Sequence, residues 1–403
     1  MSPRHKKILF GVSGGIAAYK APDLLHGWVK MGFEVETILT ESAEAFVSPM
    51  VLSTLSKRRV WRERDFLSPE YGWQIPHIAL TDWADIFVIA PCTGNVLRMA
   101  AEGDGATLLG AALLANEKPL LLFPAMNCKM LSSEAARRHM ETLAARGAVV
   151  VDPDSGMLAC GYEGKGRLPA ASVINDYVKM ALCTDKDLFG LRVAVTAGPT
   201  HEYIDPVRYI SNPSSGKMGY AIARAAWQRG ADVTLITGPT SLTRPAGIKI
   251  VEVVSADDMY EACMKASEEA DVIVKAAAVG DYRAASRAGQ KIKRGGAREF
   301  NLELVQNRDI AAALGRKKRP GQILVGFAAE TQDVIENARR KMTEKNLDIV
   351  VSNDVLSKGA GFAVDTNVIT ILERGAEPLC FSGTKEEAAD RLLDAVAART
   401  AKL

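Results

Sequence analysis

The sequence predicts an α/β protein of two doubly wound, mainly parallel, Rossmann-like sheets, and three observations carry that prediction. Short apolar runs alternate with Gly-rich turns and amphipathic segments along the whole chain, the pattern of consecutive βαβ units. Lys30-Met-Gly-Phe-Glu-Val-Glu-Thr-Ile-Leu-Thr40 recurs in outline as Arg229-Gly-Ala-Asp-Val-Thr-Leu-Ile-Thr237, so the architecture starts twice. Between the two lies 196–219, a loop rich in Gly, Pro and Ser between a strand and a helix, far longer than an ordinary connection. In sheets of this class ligands sit at the carboxyl ends of the strands.

In the first half Lys7–Val12 reads as a strand, Ser13–Lys20 turns into a helix running to about Lys30, and Glu34–Leu39 is the next strand. Further strands are Ile86–Ala90, Pro119–Phe123 and Ala148–Val151. Each is followed by a polar turn: Pro91–Asn95, Pro124–Met130, and the Gly-, Asp- and Pro-rich stretch 152–168, read as a loop. An irregular tract containing Trp61, Tyr71 and Trp73 precedes His77. A helix over Ala171–Leu182 and the polar Thr184–Gly190 mark a boundary, placing the domains at 1–188 and 189–403.

The second half offers a strand at Leu191–Val195, a helix at Tyr220–Arg229, and strands at Ile248–Val253, Asp271–Lys275, Ile323–Phe327, Ile349–Val351 and Val368–Leu372. Helices follow at Glu336–Lys345 and Glu386–Ala401. The long central loop is expected to be ordered by the apolar anchors Tyr203, Ile204, Val207, Tyr209 and Ile210.

Composition narrows the function. At 403 residues two domains are expected, and 48% hydrophobic residues fill their cores. A net charge of +2 leaves no electrostatic footprint for nucleic acid, and no apolar run reaches membrane-spanning length. With no signal-peptide pattern before the first strand a cytoplasmic protein is expected, and six cysteines, scattered without CxxC or Cys/His clusters, indicate reduced thiols and no zinc.

Several residues point to chemistry. Ser13-Gly14-Gly15 at a helix start suits a phosphate, because glycines admit close backbone approach; a tight turn with an N-cap is the alternative. Thr40 repeats that theme at the next strand end and reads equally as an ordinary cap. His77 offers a base or donor near neutral pH, or a structural imidazole. Asn127 suits a carboxylate through its amide, or forms a turn, and Cys160 in a polar Gly-rich loop offers a thiol as proton donor, or a bland free cysteine. Asn212, Ser214, Ser215, Gly216 and Lys217 form a polar cradle before a helix. The basic stretch 283–298, with Lys291-Ile-Lys-Arg294, and Lys341 and Lys345 one helical turn apart can converge on a triphosphate or remain solvated.

Taken together these motifs resemble, over essentially the whole chain, the bacterial bifunctional family that fuses phosphopantothenoylcysteine decarboxylase to phosphopantothenate–cysteine ligase. The resemblance rests on Gly11-Val-Ser-Gly-Gly-Ile-Ala-Ala-Tyr-Lys20, Pro124-Ala-Met-Asn127 with Met130, Ala159-Cys-Gly161, and Ile210-Ser-Asn-Pro-Ser-Ser-Gly-Lys-Met-Gly219. Ala278-Val-Gly-Asp-Tyr-Arg283, Lys291-Ile-Lys293 and Gly326-Phe-Ala-Ala-Glu-Thr331 follow in the family's order. The chain departs from the family pattern at Gly103–Leu109 and at Arg308, where proline is usual.

The resemblance implies a flavodoxin-like first domain binding FMN near Ser13, Gly14, Gly15, Thr40, Thr93 and Asn95. It implies that His77 assists oxidative decarboxylation, Asn127 holds the departing carboxylate and Cys160 protonates the enethiolate. For the second domain it implies that CTP, with Mg²⁺, activates 4′-phosphopantothenate as an acyl-cytidylate that cysteine then attacks. Lys291, Lys341 and Lys345 would neutralise the triphosphate, Asp281 and Phe327 contact the nucleotide, and Asn212 serve the acyl-cytidylate. It also implies trimeric flavin domains and dimeric ligase domains, hence a larger homo-oligomer up to a dodecamer. A regulatory flavoprotein that binds a partner protein is the competing reading, and the joint presence of His77, Asn127 and Cys160 argues against it.

Overall fold

The computed structural model describes residues 6–159, 161–293, 300–330, 334–354 and 366–401. The chain divides into two compact units, Met1–Thr184 and Asp185–Leu403.

The first unit opens with β1 (Lys7–Val12), an apolar run buried on both faces as a central parallel strand must be. A 3₁₀ turn over Ile16–Lys20 precedes α1 (Ala21–Lys30), so the expected single helix is two pieces, the second starting with a proline in its first turn. Its buried stripe is Leu24, Leu25 and Trp28. The Trp28 ring stands edge-on to Phe10 at 4.9 Å, and its Nε1 donates to Asn175 Oδ1 at 2.8 Å. After Gly32 come β2 (Glu34–Leu39), α2 (Pro49–Ser56), β3 (Val60–Arg62) and α3 (Pro76–Trp83). The tract expected to be irregular thus contains an edge strand through Trp61 and a 3₁₀ turn at Gly72–Gln74, and a helix that carries His77 follows it.

The unit continues with β4 (Ile86–Cys92), α4 (Gly94–Glu102), α5 (Leu108–Ala115), β5 (Leu120–Pro124), α6 (Cys128–Leu131), α7 (Glu134–Ala145) and β6 (Val149–Val150). Among the described residues the sheet order is β3-β2-β1-β4-β5-β6, parallel throughout. The short β3 is an edge addition; without it the order is the flavodoxin-like one, reversing between β1 and β4. Two apolar layers cover the sheet, one centred on Phe10, Trp28 and Phe123 and the other on Leu9, Phe87 and Ile89. The stretch 152–168, expected as a loop, is a hairpin of β7 (Asp154–Met157) and β8 (Glu163–Arg167). α8 (Ala171–Leu182) closes the unit.

The second unit begins with β9 (Arg192–Ala197), the minimal hairpin β10 (Glu202–Tyr203) and β11 (Tyr209–Ile210), then α9 (Lys217–Gln228). There follow β12 (Asp232–Thr237), β13 (Lys249–Glu252), α10 (Ala256–Ser267), β14 (Val272–Lys275), the pair β15 (Tyr282–Ala284) and β16 (Leu304–Gln306), and α11 (Ile310–Lys317). The chain ends with β17 (Ile323–Glu330), α12 (Val334–Glu344), β18 (Ile349–Asp354), β19 (Thr366–Glu373), β20 (Leu379–Thr384) and α13 (Lys385–Thr400). The sheet order is β13-β12-β9-β14-β17-β18-β19-β20 among the described residues. It is parallel through β18, and β19 and β20 add an antiparallel extension. Its order reverses between β9 and β14, so those two strand ends form the crevice where a ligand is expected.

The central loop is ordered differently from the expectation. Val207, Tyr209 and Ile210 are exposed, whereas Thr200, Glu202 and Asp205 are buried. Thr200 Oγ1 accepts from Gly280 N at 3.0 Å, and its carbonyl accepts from Ser211 Oγ at 2.8 Å. Glu202 Oε1 accepts from Ala256 N at the start of α10, at 2.9 Å. Buried polar groups need partners, and here the partners are what fix the loop.

Candidate functional site

In the first unit the carboxyl edge of the sheet gathers four segments. Ser13 is buried; its Oγ donates to Pro91 O at 2.8 Å and accepts from Thr93 N at 3.0 Å, tying the end of β1 to the end of β4. The Ser13 proton is therefore committed within the protein. Gly14 lies on the Ser42 side chain, where an added Cβ would stand 2.4 Å from Ser42 Oγ. Thr40 Oγ1 caps the turn at Ala43 N (3.3 Å) and lies 3.3 Å from Ser42 Oγ, so it plays the ordinary capping role.

Gly15 differs from Gly14. A Cβ there would meet only the Thr93 methyl, at 3.5 Å. Internal packing leaves space at this glycine, the kind of cradle that lets a phosphate or a flat ring approach the backbone. Thr93 heads α4 without using its hydroxyl as a cap, and Asn95 is exposed in the same first turn. These residues fit a flavin mononucleotide. Gly94 would carry a Cβ 3.7 Å from Met126 Sδ, so the segment after β5 adjoins this group.

Asn127 caps α6, its Oδ1 accepting from Lys129 N at 2.9 Å. The turn-forming role and a fixed amide orientation coexist there. The hairpin packs on this segment: Met126 N donates to Gly166 O at 3.1 Å, and a Cβ at Gly164 would touch Cys128 at 3.2 Å. Cys160 falls between β7 and β8 in the sequence and lies outside the described residues. His77 occupies the first turn of α3, and its ring stands edge-on to Phe66 at 5.5 Å. The last turn of α3 leads into β4 at its amino end, where Asp85 N pairs with Lys7 O. Eight residues of helix span about 12 Å, so His77 lies toward the carboxyl edge. Its Nδ1 is buried with no hydrogen-bond partner among the described residues.

In the second unit three turns nest through glycines. A Cβ on Gly238 would stand 1.7 Å from Pro199 O, and Cβ atoms on Gly198 and Gly216 would each meet Thr240 Cγ2 at 2.9 Å. Gly216 also has φ +78°, a left-handed conformation that a side chain disfavours, and it is the N-cap of α9. Beside these turns lies a cleft of about 450 Å³, lined among others by His201, Asn212, Ser214, Ser215 and Thr240. Asn212 Nδ2 donates to the carbonyls of Val279 (3.1 Å) and Ala278 (3.4 Å), binding the loop to the exit of β14. A helix N-terminus with such a loop is suited to a phosphate chain.

Lys291 reaches the same region through its neighbour. Asp205 accepts from Ile292 N at 3.2 Å, and Arg208 donates to Ile292 O at 2.6 Å. Burial opposes the charged form of Asp205, but the N–H groups of Val207, Arg208 and Ile292 and the Arg208 guanidinium outweigh it and hold the carboxyl well below the usual range. Asp281 is exposed; its carbonyl accepts from Asn307 N at 2.8 Å. Phe327 packs partly buried on the core face that holds Val325. Lys345 is paired with Asp309 at 2.9 Å, and its N–H donates to Lys341 O at 3.0 Å, so one of the three expected phosphate-binding cations already has a carboxylate partner. Arg308 turns to α10, bonding Asp257 (3.1 Å) and Glu261 (2.8 Å) over the Tyr260 ring. Sequence reasoning passed over Lys275, at the end of β14; a strand-end lysine carries no signal that separates it from a solvated one.

Two family models divide the chain: the Flavoprotein family matches residues 2–183, and the DNA/pantothenate metabolism flavoprotein C-terminal domain matches residues 188–400. They define a flavoprotein unit followed by a second α/β unit of pantothenate metabolism. The coenzyme A biosynthesis bifunctional protein CoaBC of Bacillus subtilis is 44% identical over 372 residues, covering 91% of this chain and 90% of its own. The protein of that name from Escherichia coli K12 is 40% identical over 401 residues, covering 99% and 98%. A crystal structure of the C-terminal domain of a CoaBC protein is 39% identical, covers 54% of this chain and all of its own, and has a TM-score of 0.47. The chain belongs to the family of bifunctional proteins of coenzyme A biosynthesis. Among the described residues no helix is long and apolar enough to cross a membrane.

Proposed function

We propose that the second unit joins 4′-phosphopantothenate to cysteine at the expense of CTP and that the first unit decarboxylates the product to 4′-phosphopantetheine. The observation that carries this reading is that each unit presents its own polar cluster at the carboxyl edge of its sheet, around Ser13–Gly15 and Asn127 in one and around Asn212–Gly216 in the other. The relatives matched over more than 90% of the chain carry the bifunctional name.

In residues 1–188, FMN bound near Gly15, Thr93 and Asn95 supplies the redox step at the cysteinyl thiol. Asn127, oriented through its capped Oδ1, receives the substrate carboxylate by its amide nitrogen. His77 assists loss of the carboxylate and Cys160 returns a proton to the enethiolate. In residues 189–403 the Ser214–Gly216 turn and Lys291 hold the triphosphate, with Mg²⁺ as its counter-ion, Asp281, Phe327, Lys341 and Lys345 contact the nucleotide, and Asn212 orients the acyl-cytidylate for attack by the cysteine amine. The stabilisation is electrostatic and positional.

We further propose a cytoplasmic homo-oligomer, with trimeric flavin units and dimeric ligase units. Exposed Met50, Leu67 and Trp73 on the first unit support coverage by other copies.

The visible spectrum of the purified protein, followed by mixing with CTP, Mg²⁺, cysteine and 4′-phosphopantothenate, tests the reading. A yellow protein that releases CMP and CO₂ is expected. A yellow protein that releases neither would overturn it in favour of a regulatory flavoprotein.

A further inference from the structure

Lys275 ends β14 at the point where the strand order reverses, opposite Thr196 of β9 on one side and Gly326 of β17 on the other. It follows Ile273 on the face covered by α10, α11 and α12, since Ile273 shares its apolar cluster with Cys263, Leu314 and Met342. The groups around it are the Cys263 thiol from α10, Asp309 at the cap of α11, Lys345 beyond α12 and Asp281 beyond β14. Among the described residues no acceptor is bonded to the Lys275 ammonium, whereas Lys345 is held by Asp309 at 2.9 Å. Lys345 and Asp309 cancel as a bonded pair, whereas Lys275 meets the Asp281 carboxylate only through space, with no hydrogen bond between them. A half-buried charge without a partner is costly unless a ligand supplies one.

We propose that Lys275 is a further contact for the nucleotide's triphosphate and that it, more than Lys345, supplies the charge that compensates the bound phosphates. This rests on the reading of the second unit as a CTP-dependent ligase. Anions bind where desolvated cations are already in place, and the ligand edge of a doubly wound sheet is its switch point. Burial lowers the Lys275 pKa, with Lys345 acting in the same direction. A bound triphosphate favours the ammonium form. CTP binding therefore favours the charged form of Lys275, and affinity falls as pH rises through the Lys275 pKa of the free protein.

Calorimetric titration of the full-length protein with CTP and Mg²⁺, without the other substrates, tests this. A lost charged hydrogen bond weakens binding roughly tenfold or more, and that is the loss expected for Lys275→Met. Lys275→Arg should stay within a few-fold of wild type, and Lys345→Met should lose less than Lys275→Met. Between about pH 8.5, where phosphates are fully ionised, and the ordinary lysine pKa of about 10.4, the CTP affinity of wild type should fall more steeply than that of Lys275→Met. Wild-type CTP affinity in Lys275→Met, or a larger loss in Lys345→Met, would overturn the proposal while leaving the ligase reading intact. If Lys275→Met does not fold, a wild-type CTP affinity that stays constant across that pH range overturns it on its own. Failure of the wild-type protein to bind CTP would remove the ligase reading, and this assignment with it.

Discussion

The carboxylate of Asp205 and the guanidinium of Arg208 clasp each other at 2.5 and 2.9 Å, and both hold the backbone of Ile292, 87 residues from Asp205. One buried carboxylate thus places the basic segment that carries Lys291 beside the loop that carries Asn212. Asp205→Asn keeps the size but loses the charge. Misplacement of a catalytic segment by about 1 Å can cost on the order of a hundredfold. CMP release should fall by that order while the flavin spectrum is unchanged.

The same carboxylate sets an acid limit. Its folded pKa lies below its ordinary value, so its contribution to order is complete above that value, about 3.9, and is lost as pH falls through the folded pKa. Limited proteolysis of the 199–216 loop should be constant from neutral pH to about pH 4.5 and accelerate only below the ordinary carboxylate pKa. Acceleration already near pH 6 would contradict the assignment.

Gly238→Ala sets a Cβ against the Pro199 carbonyl, 1.7 Å away before relaxation. Backbone on backbone leaves no flexible group to yield, so the two turns must separate. The variant should retain flavin and lose CTP binding, measured by equilibrium titration.

Trp28→Ala removes a fully buried ring from between β1 and α8 and leaves Asn175 Oδ1 without its donor. Deletions of this size cost about 3–5 kcal/mol. Thermal release of flavin, followed by fluorescence, should shift to markedly lower temperature.

Asn212→Asp replaces a donor facing the Ala278 and Val279 carbonyls by a carboxylate. Acyl-cytidylate should accumulate, detectable by quench and mass measurement, because loop position and amide contact are lost together. Wild-type rates of amide formation would remove Asn212 from the second step.

The sequence made the frame legible because parallel strands, buried on both faces, leave continuous apolar runs. The bounds of Lys7–Val12, Glu34–Leu39 and Ala171–Leu182 could be read directly. What escaped has a physical reason in each case. The three-residue β3 is too short to show a period, and the hairpin β7–β8 is exposed enough that no alternation is imprinted. The central loop was credited to apolar anchors, because burial is read from hydrophobicity, yet Thr200, Glu202 and Asp205 hold it by hydrogen bonds. Ser13 could be singled out, but not that its proton goes to Pro91. Lys345 could be singled out, but not its pairing with Asp309.

The nested glycines of the second unit have a dynamic consequence. With Gly198, Gly216 and Gly238 packed backbone to backbone, no turn can open without displacing the other two. The three segments then form one cooperative unit, and their amides should exchange with deuterium at a common rate. A ligand touching any one of them would slow all three.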